Sequence, residues 1–179
     1  MRPVYRTLSW VNPNVLTLIS IIPSVLFLVF LNTNHPLLAA LALVGNILDM
    51  FDGGIARANG KVSKFGGVLD SVSDRISDFI IIWSFGIVGA GWTVVGSVLL
   101  FSFLTSYIRS RTELAAGGST SLAIGLIERP ERIIFVGILA LLYAAFNSVD
   151  TLRYGLMVLA VLSAITFFQR FYASYKVLR

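Results

Sequence analysis

The sequence predicts an all-α integral membrane protein, and its composition is the first reason. Of its 179 residues, 56% are hydrophobic and 13% are charged. A soluble domain is about 45–50% apolar and about 25% charged. The second reason is a series of apolar segments, each close to the roughly 20 residues that a spanning helix needs. We expect helices rather than strands, because an open sheet cannot satisfy its backbone hydrogen bonds in lipid.

Six transmembrane helices are predicted, separated by breaks that are rich in turn residues. The breaks are Asn32–Pro36, Asn59–Gly60, Gly89–Gly91, Gly117–Gly118 and Asn147–Asp150. The predicted spans are 14–32, 36–58, 65–89, 93–114, 132–147 and 151–176. Residues 1–12 predict a short juxtamembrane amphipathic helix, in which Arg2 and Arg6 meet lipid phosphates. We expect a single domain over residues 1–179, with the six-helix bundle over 14–176.

The basic residues fix the predicted orientation of these spans. Nearly all of them flank one side, whereas Arg153 lies at the other side and Arg75 lies within the third span. Loops rich in lysine and arginine remain in the cytosol. The sequence therefore predicts a multi-pass protein of the cell membrane, with both termini and the active site on the cytoplasmic side.

Four aspartates lie in the second and third predicted spans, where a carboxylate is costly and usually functional. Asp49 and Asp52 are three residues apart, and Asp70 and Asp74 are four residues apart. On a helix each pair shares one face. Because a short loop joins the two helices, we expect the four carboxylates to point at one cation site.

The ligand chemistry of this site favours hard cations. Oxygen-only ligands suit Mg²⁺, Mn²⁺ or Ca²⁺, and two bridged ions would clamp an attacked phosphorus and its leaving group. The chain has no cysteine and a single histidine, His35, so cysteine and multi-histidine metal sites are excluded. The alternative is that the aspartates form buried salt bridges to Arg57, Arg75 and Arg109.

The same stretch resembles the signature of the CDP-alcohol phosphotransferase family. The matching residues are Asp49-x-x-Asp52-Gly53-x-x-Ala56-Arg57 and, after eight further residues, Gly66-x-x-x-Asp70-x-x-x-Asp74. The resemblance implies a metal-dependent enzyme that transfers a phosphatidyl-type group from a CDP-lipid to an alcohol and releases CMP. The CDP-lipid is either CDP-diacylglycerol or CDP-archaeol, and the resemblance implies Mg²⁺ or Mn²⁺, as two ions.

The resemblance also implies a role for each residue of the motif. The metal ligands are Asp49, Asp52, Asp70 and Asp74, and Asp74 is also the catalytic base that takes the proton of the acceptor hydroxyl. The nucleotide is held by Asp49, Gly53, Ala56, Arg57, Ser63, Gly66 and Asp70. Ser63 is explained equally well as an ordinary residue of the cytoplasmic loop.

A second group of polar residues bears on the acceptor, and we refer to it as the acceptor cluster. Its members are Ser106, Arg109, Arg111, Arg129, Arg132 and Arg170. Several arginines at one level of the membrane favour an anionic acceptor, such as a phosphorylated polyol. The alternative is positive-inside charge together with contact to anionic lipids.

The acceptor cluster also resembles one branch of the family. The pattern Ser106-Tyr107-x-Arg109-x-Arg111-x-Glu113, followed by Gly125-x-x-Glu128-Arg129-x-x-Arg132, is similar to that of the inositol-phosphate branch. This resemblance implies inositol 1-phosphate as the acceptor. The glycerol 3-phosphate branch is the alternative, because its acceptor is phosphorylated as well.

An ion-coupled transporter is the competing class, because acidic residues within a membrane also line ion paths. The four aspartates lie toward one side, whereas outer segments such as Val25–Leu31 and Ile80–Val88 are largely apolar. The sequence also lacks the inverted repeat typical of transporters. We therefore expect an enzyme.

The expected partners are the two substrates, membrane lipids and a second copy of the chain, with no nucleic acid. The homodimer is predicted from small residues on the fifth span, which permit close helix packing. These residues are Gly137, Ala140, Ala144 and Ala145.

Overall fold

The structure, a computed structural model, describes residues 13–46, 64–118, 122 and 124–179. Within these ranges the chain is helical and contains no strand. The helices are α1 (Pro13–Ile19), α2 (Ile22–Asn32), α3 (Pro36–Asn46), α4 (Lys64–Val88), α5 (Trp92–Ala115), α6 (Arg129–Phe146) and α7 (Val149–Leu178). The juxtamembrane helix predicted over residues 1–12 lies outside the described residues, as does the second half of the span predicted over 36–58.

The all-helical prediction is confirmed for the described residues, whereas six membrane crossings remain a prediction. Among the described residues, two helices are long and apolar enough to cross a membrane, namely α5 with 24 residues and α7 with 30. The shorter apolar stretches are Thr17–Asn32, which comprises the end of α1 and all of α2, and Pro36–Asn46, which is α3. Many large apolar side chains point outward, among them Leu100, Phe103, Val158 and Phe168. An apolar surface of this extent is typical of a protein in contact with lipid.

Contacts divide the chain into two compact units, Met1–Ser84 and Phe85–Arg179. In the first unit, the predicted span 14–32 is interrupted at Ser20 and Ile21, where the backbone makes a turn. The reason is Pro23, which lacks an N–H group and cannot continue the helical hydrogen bonds of the preceding turn. The single domain predicted over the whole chain stays a prediction.

The second unit is built on α5 and α7, with α6 packed against α7. Its buried apolar side chains include Val98 on α5, Val136 on α6 and Leu156 on α7. At Gly155 an added Cβ would collide with the Leu139 side chain, so glycine permits α6 and α7 to approach closely here.

Turns join these helices where the sequence predicts them. Gly89 and Gly91 both have a φ of +106°, a conformation that glycine adopts readily. Arg153 at the start of α7 donates hydrogen bonds to the carbonyl oxygens of Ala90 (3.2 Å) and Gly89 (3.4 Å). Asn147 ends α6 in the left-handed conformation, with a φ of +47°.

Candidate active site

Helix α4 carries the second aspartate pair of the motif. Asp70 is exposed, Asp74 is partly buried, and Asp78, one turn further on, is buried. The three residues follow one another at four-residue spacing, so they lie along one face of the helix. The carboxylates of this face therefore pass from an open surface at Asp70 to the protein interior at Asp78.

Arg75 is the basic neighbour of this face. Its Nη1 lies 3.8 Å from the Asp74 Oδ2 and donates a shorter hydrogen bond, 2.9 Å, to the carbonyl oxygen of Ser71. The alternative prediction was that the aspartates form salt bridges with arginines. Between Asp74 and Arg75 the ion pair is long, and the shorter contact of Arg75 is with the backbone of its own helix.

Space is available beside the exposed end of this face. At Gly67, one turn before Asp70, an added Cβ would meet nothing within 4 Å. Gly66 is half-buried. An exposed carboxylate beside open space is suited to a divalent cation and a phosphate-containing ligand, because Mg²⁺ and Mn²⁺ take oxygen ligands.

The remaining residues of the predicted motif lie outside the described residues. They are Asp49, Asp52, Gly53, Ala56, Arg57 and Ser63. In the part of the chain that the structure describes, no group of three or more acidic or histidine side chains is placed to hold a metal ion. The four-carboxylate site therefore stays a prediction, of which the structure describes Asp70 and Asp74.

Helix α3 leads toward the first aspartate pair and is fixed to α2 immediately before it. The Ser24 hydroxyl donates a hydrogen bond of 3.1 Å to the Asn46 Oδ1, and both residues are buried. An added Cβ at Gly45 would lie 2.6 Å from the Pro23 Cγ. Asn46 is three residues before Asp49, so these contacts define where α3 lies just before the motif.

In the second unit, Arg109 of the acceptor cluster forms an ion pair with Glu113. The Arg109 Nε donates a 3.0 Å hydrogen bond to the Glu113 Oε1, one helical turn further along α5. The same oxygen accepts the backbone N–H of Leu122 at 3.1 Å. Ser106 is half-buried and Arg111 is exposed. Glu113 thus connects an arginine of the cluster with the segment that follows α5.

Arg170 is the most extensively bonded member of the cluster. Its Nη2 lies 2.6 Å from the Glu128 Oε1, its Nε donates to the Ile124 carbonyl oxygen at 2.7 Å, and its Nη1 donates to the Thr105 carbonyl oxygen at 3.1 Å. The residue is 4% exposed. Arg170 therefore joins α7, α5 and the start of α6.

Arg129 and Arg132 lie in the first turn of α6, which Glu128 begins. Glu128 and Glu131 form a capping box, with the Glu128 N–H donating to the Glu131 Oε2 at 2.9 Å. Arg129 is half-buried and Arg132 is buried. The capping box satisfies N–H groups that a helix start leaves without intrahelical partners, so the first turn is well defined.

The sequence prediction named the arginines of this region but gave no role to their acidic partners, Glu113 and Glu128. The signals were present in the sequence. Arg109 and Glu113 have the four-residue spacing of a helical ion pair, and the spacing of Glu128 and Glu131 is that of a capping box. The contact between Arg170 and the backbone of Ile124 has no such signal, because 46 residues separate them.

Comparison with known proteins places these features in a family. The family model described as CDP-alcohol phosphatidyltransferase matches residues 10–167. A curated relative, the archaetidylinositol phosphate synthase of Pyrococcus horikoshii, is 44% identical over 168 residues, which are 93% of this chain and 85% of that protein.

Solved structures agree with the family match. The phosphatidylinositol phosphate synthase of Mycobacterium tuberculosis with CDP-DAG bound has a TM-score of 0.78 and 29% identity, covering 97% of this chain and 92% of that one. The same enzyme in complex with manganese and citrate also has a TM-score of 0.78 and 29% identity, with coverage of 97% and 88%. The predicted family and the predicted enzyme class are therefore confirmed, and the chain belongs to the CDP-alcohol phosphatidyltransferase family.

Proposed function

We propose that this enzyme transfers the phosphatidyl-type group of a CDP-lipid to a hydroxyl of inositol 1-phosphate and releases CMP. The observation that carries the proposal is the acceptor cluster, in which Arg109 is hydrogen-bonded to Glu113 on α5 and Arg170 to Glu128 at the start of α6. Guanidinium groups recognise phosphate through paired N–H donors. The relative named archaetidylinositol phosphate synthase supports inositol phosphate as the acceptor. The donor is CDP-diacylglycerol or CDP-archaeol.

The proposed metal site consists of Asp49, Asp52, Asp70 and Asp74, with two Mg²⁺ or Mn²⁺ ions. On α4, the part of this site that the structure describes, the exposure of Asp70 and the open space at Gly67 support the proposal. The manganese complex of the mycobacterial enzyme supports the use of a divalent ion. When bound, such ions neutralise the charge of the pyrophosphate and of the leaving CMP.

The proposed chemistry is a direct displacement at phosphorus. Asp74 accepts the proton of the acceptor hydroxyl, whose oxygen forms a bond with the phosphorus that carries the lipid. The bond from this phosphorus to the bridging oxygen of the anhydride breaks, and CMP leaves with that oxygen. Asp74 is one turn deeper than the exposed Asp70. A carboxylate in this position is a suitable general base if the acceptor hydroxyl comes within hydrogen-bond reach of it.

The nucleotide is proposed to bind at the glycine-containing part of the motif. Its ligands are Asp49, Gly53, Ala56, Arg57, Ser63, Gly66 and Asp70. The small residues leave room for the CDP group near the backbone, and Arg57 pairs with its phosphates. Gly66, on the described part of α4, is half-buried beside the open position of Gly67.

An acceptor assay tests the proposal. Purified protein in detergent receives a CDP-lipid and Mg²⁺ or Mn²⁺, and CMP release is compared for inositol 1-phosphate, glycerol 3-phosphate, free inositol and serine. We expect release with inositol 1-phosphate alone. Release with glycerol 3-phosphate alone would assign the chain to the other phosphorylated acceptor. The absence of metal-dependent release with every acceptor and both lipids would contradict the proposal.

We propose that both termini and the active site face the cytoplasm. The support is the sequence distribution of lysine and arginine. Because the chain has no cysteine, single cysteines introduced at Arg179 and at Asp150, which lies in the predicted break before the last span, report sidedness by labelling intact cells with an impermeant thiol reagent. We expect labelling at Asp150 alone. Labelling at Arg179 alone would reverse the orientation.

We also propose that the enzyme is a homodimer. Of the small residues on α6, Ala145 is exposed and Gly137 and Ala144 are half-buried, whereas Ala140 is buried within the protomer. The first three remain available to a second copy. Light scattering in detergent should give the mass of two chains, and Ala145→Trp should shift it toward one. A monomeric mass for the unmodified protein would contradict the proposal.

A further inference from the structure

We propose that the last turns of α7 bind the headgroup of an anionic phospholipid through Lys176 and Arg179, together with Tyr172 and Tyr175. We refer to these four residues as the headgroup site. They lie outside both the aspartate motif and the acceptor cluster, so the site does not depend on which acceptor the enzyme uses. The side of α7 on which they lie is the first support for a lipid partner.

The outward face of α7 is a continuous apolar stripe that leads to the headgroup site. Its positions are spaced alternately by four and three residues, so they share one side of the helix. All of them are exposed, namely Tyr154, Val158, Val161, Ile165, Phe168 and Tyr172. An exposed apolar surface of this length is a contact surface for lipid or for another protein.

Bulky side chains on this face favour lipid over a second copy of the chain. Helices that associate within a membrane place small residues where they touch. Within α7, all of which the structure describes, no exposed residue from Tyr154 onward is glycine, alanine or serine. The small residues lie on the inner side, where a Cβ at Gly155 would collide with the Leu139 side chain. Parallel copies would also bring like charges together at Lys176 and Arg179.

Tyrosines stand at both ends of the stripe. Tyr154 is 65% exposed, and Tyr172 and Tyr175 are 60% and 57% exposed. At a rise of about 1.5 Å per residue, about 27 Å separate Tyr154 from Tyr172 and about 32 Å separate it from Tyr175. The hydrocarbon core of a bilayer is about 30 Å thick, and tyrosine is enriched at both of its boundaries. This spacing favours a position of Tyr172 and Tyr175 at one lipid–water boundary.

Lys176 and Arg179 lie over these two tyrosines. The Lys176 Nζ is 4.7 Å from the centre of the Tyr172 ring, and the Arg179 Cζ is 5.9 Å from the centre of the Tyr175 ring. Each side chain thus points back by one helical turn, as helical side chains commonly do, and its cation is attracted to the face of the ring. Both charges therefore lie at the depth of the tyrosines, close to the phosphates of lipid headgroups.

The charge at this end of α7 is available to a lipid, whereas the charge at the other end is not. Within the ranges that the structure describes, neither Lys176 nor Arg179 forms an ion pair with a carboxylate. Arg153, near the start of α7, is paired with Asp150 at 3.0 Å and donates to the Ala90 carbonyl oxygen. A basic residue at the membrane surface favours anionic lipid by about fivefold, so the preference should be confined to the headgroup site.

Lipid selectivity measured at one point of the helix tests the proposal. Because the chain has no cysteine, Phe168→Cys provides a single attachment point for a fluorophore on the outward face, one turn before Tyr172. The labelled full chain is placed in mixed bilayers of phosphatidylcholine and phosphatidylglycerol, in which each lipid in turn carries brominated acyl chains that quench the fluorophore. We expect phosphatidylglycerol to be preferred next to the label by about tenfold, the effect of two basic residues.

The matched control is Met157→Cys, labelled in the same way. Met157 is exposed on the outward face of α7, close to Arg153. Because Arg153 is already paired, we expect a preference of less than about twofold there. At the Phe168 label, Lys176→Gln should reduce the preference by about fivefold, and Lys176→Gln combined with Arg179→Gln should reduce it to the value at Met157.

Several results would overturn the proposal. Equal quenching by the two lipids at the Phe168 label would show that no anionic headgroup is preferred, and a preference that persists in the double variant would assign it to other residues. Weak quenching by both lipids that rises when the protein is diluted would mean that a second copy covers this face. Loss of the preference on addition of inorganic phosphate, at constant ionic strength, would show that the site takes free phosphate.

An activity measurement separates the headgroup site from the active site. In detergent without anionic lipid, Lys176→Gln combined with Arg179→Gln should release CMP at the rate of the unmodified protein, because neither residue belongs to the motif or to the acceptor cluster. A loss of CMP release would place the two residues in the active site and would contradict a separate lipid site. The quenching measurement itself requires no activity, so it tests the headgroup site even if the proposed acceptor is wrong.

Discussion

The Ser24 hydroxyl donates a 3.1 Å hydrogen bond to the Asn46 side chain, and both residues are buried. One residue earlier, Gly45 lies against Pro23 so closely that a Cβ would be 2.6 Å from its Cγ. These contacts fix α3 against α2 just before Asp49. The helix that leads to Asp49 is therefore positioned by packing outside the motif.

Gly45→Ala should displace α3 and weaken metal-dependent activity. The added methyl group meets the rigid Pro23 ring, and such overpacking costs about 1–3 kcal/mol. We expect a lower thermal midpoint in detergent and a higher Mn²⁺ concentration for half-maximal CMP release. Gly96→Ala is the control, because a Cβ there meets nothing within 4 Å. Equal behaviour of the two variants would show that the Gly45 contact is unimportant.

Asp74→Asn should abolish turnover while leaving nucleotide binding largely intact. Asparagine cannot accept the hydroxyl proton, and loss of a general base reduces the rate by about a hundredfold or more. Asp49→Asn should weaken both turnover and binding, because Asp49 is proposed to contact metal and nucleotide. Titration with CDP-lipid in the presence of Mn²⁺ measures the binding. Equal loss of binding in the two variants would argue against Asp74 as the base.

Arg129→Ala should raise the KM for inositol 1-phosphate far more than the KM for the CDP-lipid. Loss of one charge-assisted hydrogen bond corresponds to about tenfold or more. Steady-state kinetics with each substrate varied in turn gives both constants. A larger increase in the KM for the CDP-lipid would instead assign Arg129 to nucleotide binding.

Arg153→Met should lower stability by about 1 kcal/mol, the contribution of a net hydrogen bond. The reason is the loss of its bonds to the carbonyl oxygens of Gly89 and Ala90. Asp150→Asn removes only the exposed ion pair with Arg153, 3.0 Å long, and should cost less than about 1 kcal/mol. Thermal unfolding in detergent compares the two variants. A larger effect for Asp150→Asn would assign the stabilisation to the ion pair.

Local signals made much of the helical fold predictable. The helix breaks predicted at Gly89–Gly91 and Asn147 are present in the structure. The backbone there has positive φ angles, which glycine and asparagine adopt more readily than other residues. The two largest differences from the predicted boundaries have local causes. Pro23 interrupts the first span near Ser20, and α6 begins at Arg129 rather than residue 132 because Glu128 caps it.

The arrangement of the site residues was only partly predictable from the sequence. The spacing of Asp70 and Asp74 places them on one face of α4, as the structure has them. The partners of Arg170 were not predictable, because two of them are backbone oxygens, of Thr105 and Ile124, that only the folded chain brings near α7. Charge alone therefore identified Arg170 as a candidate phosphate ligand, whereas its protein partners became known only from the structure.

The most direct test of the account follows the acceptor phosphate into lipid. Purified enzyme receives a CDP-lipid, Mn²⁺ and inositol 1-phosphate labelled in its phosphate, and the organic phase is extracted. We expect the label to enter the lipid only when metal and CDP-lipid are both present, with CMP released in equal amount, and no labelled lipid with Asp70→Asn. CMP release without label in the lipid would mean hydrolysis or another acceptor, and would contradict the proposed transfer.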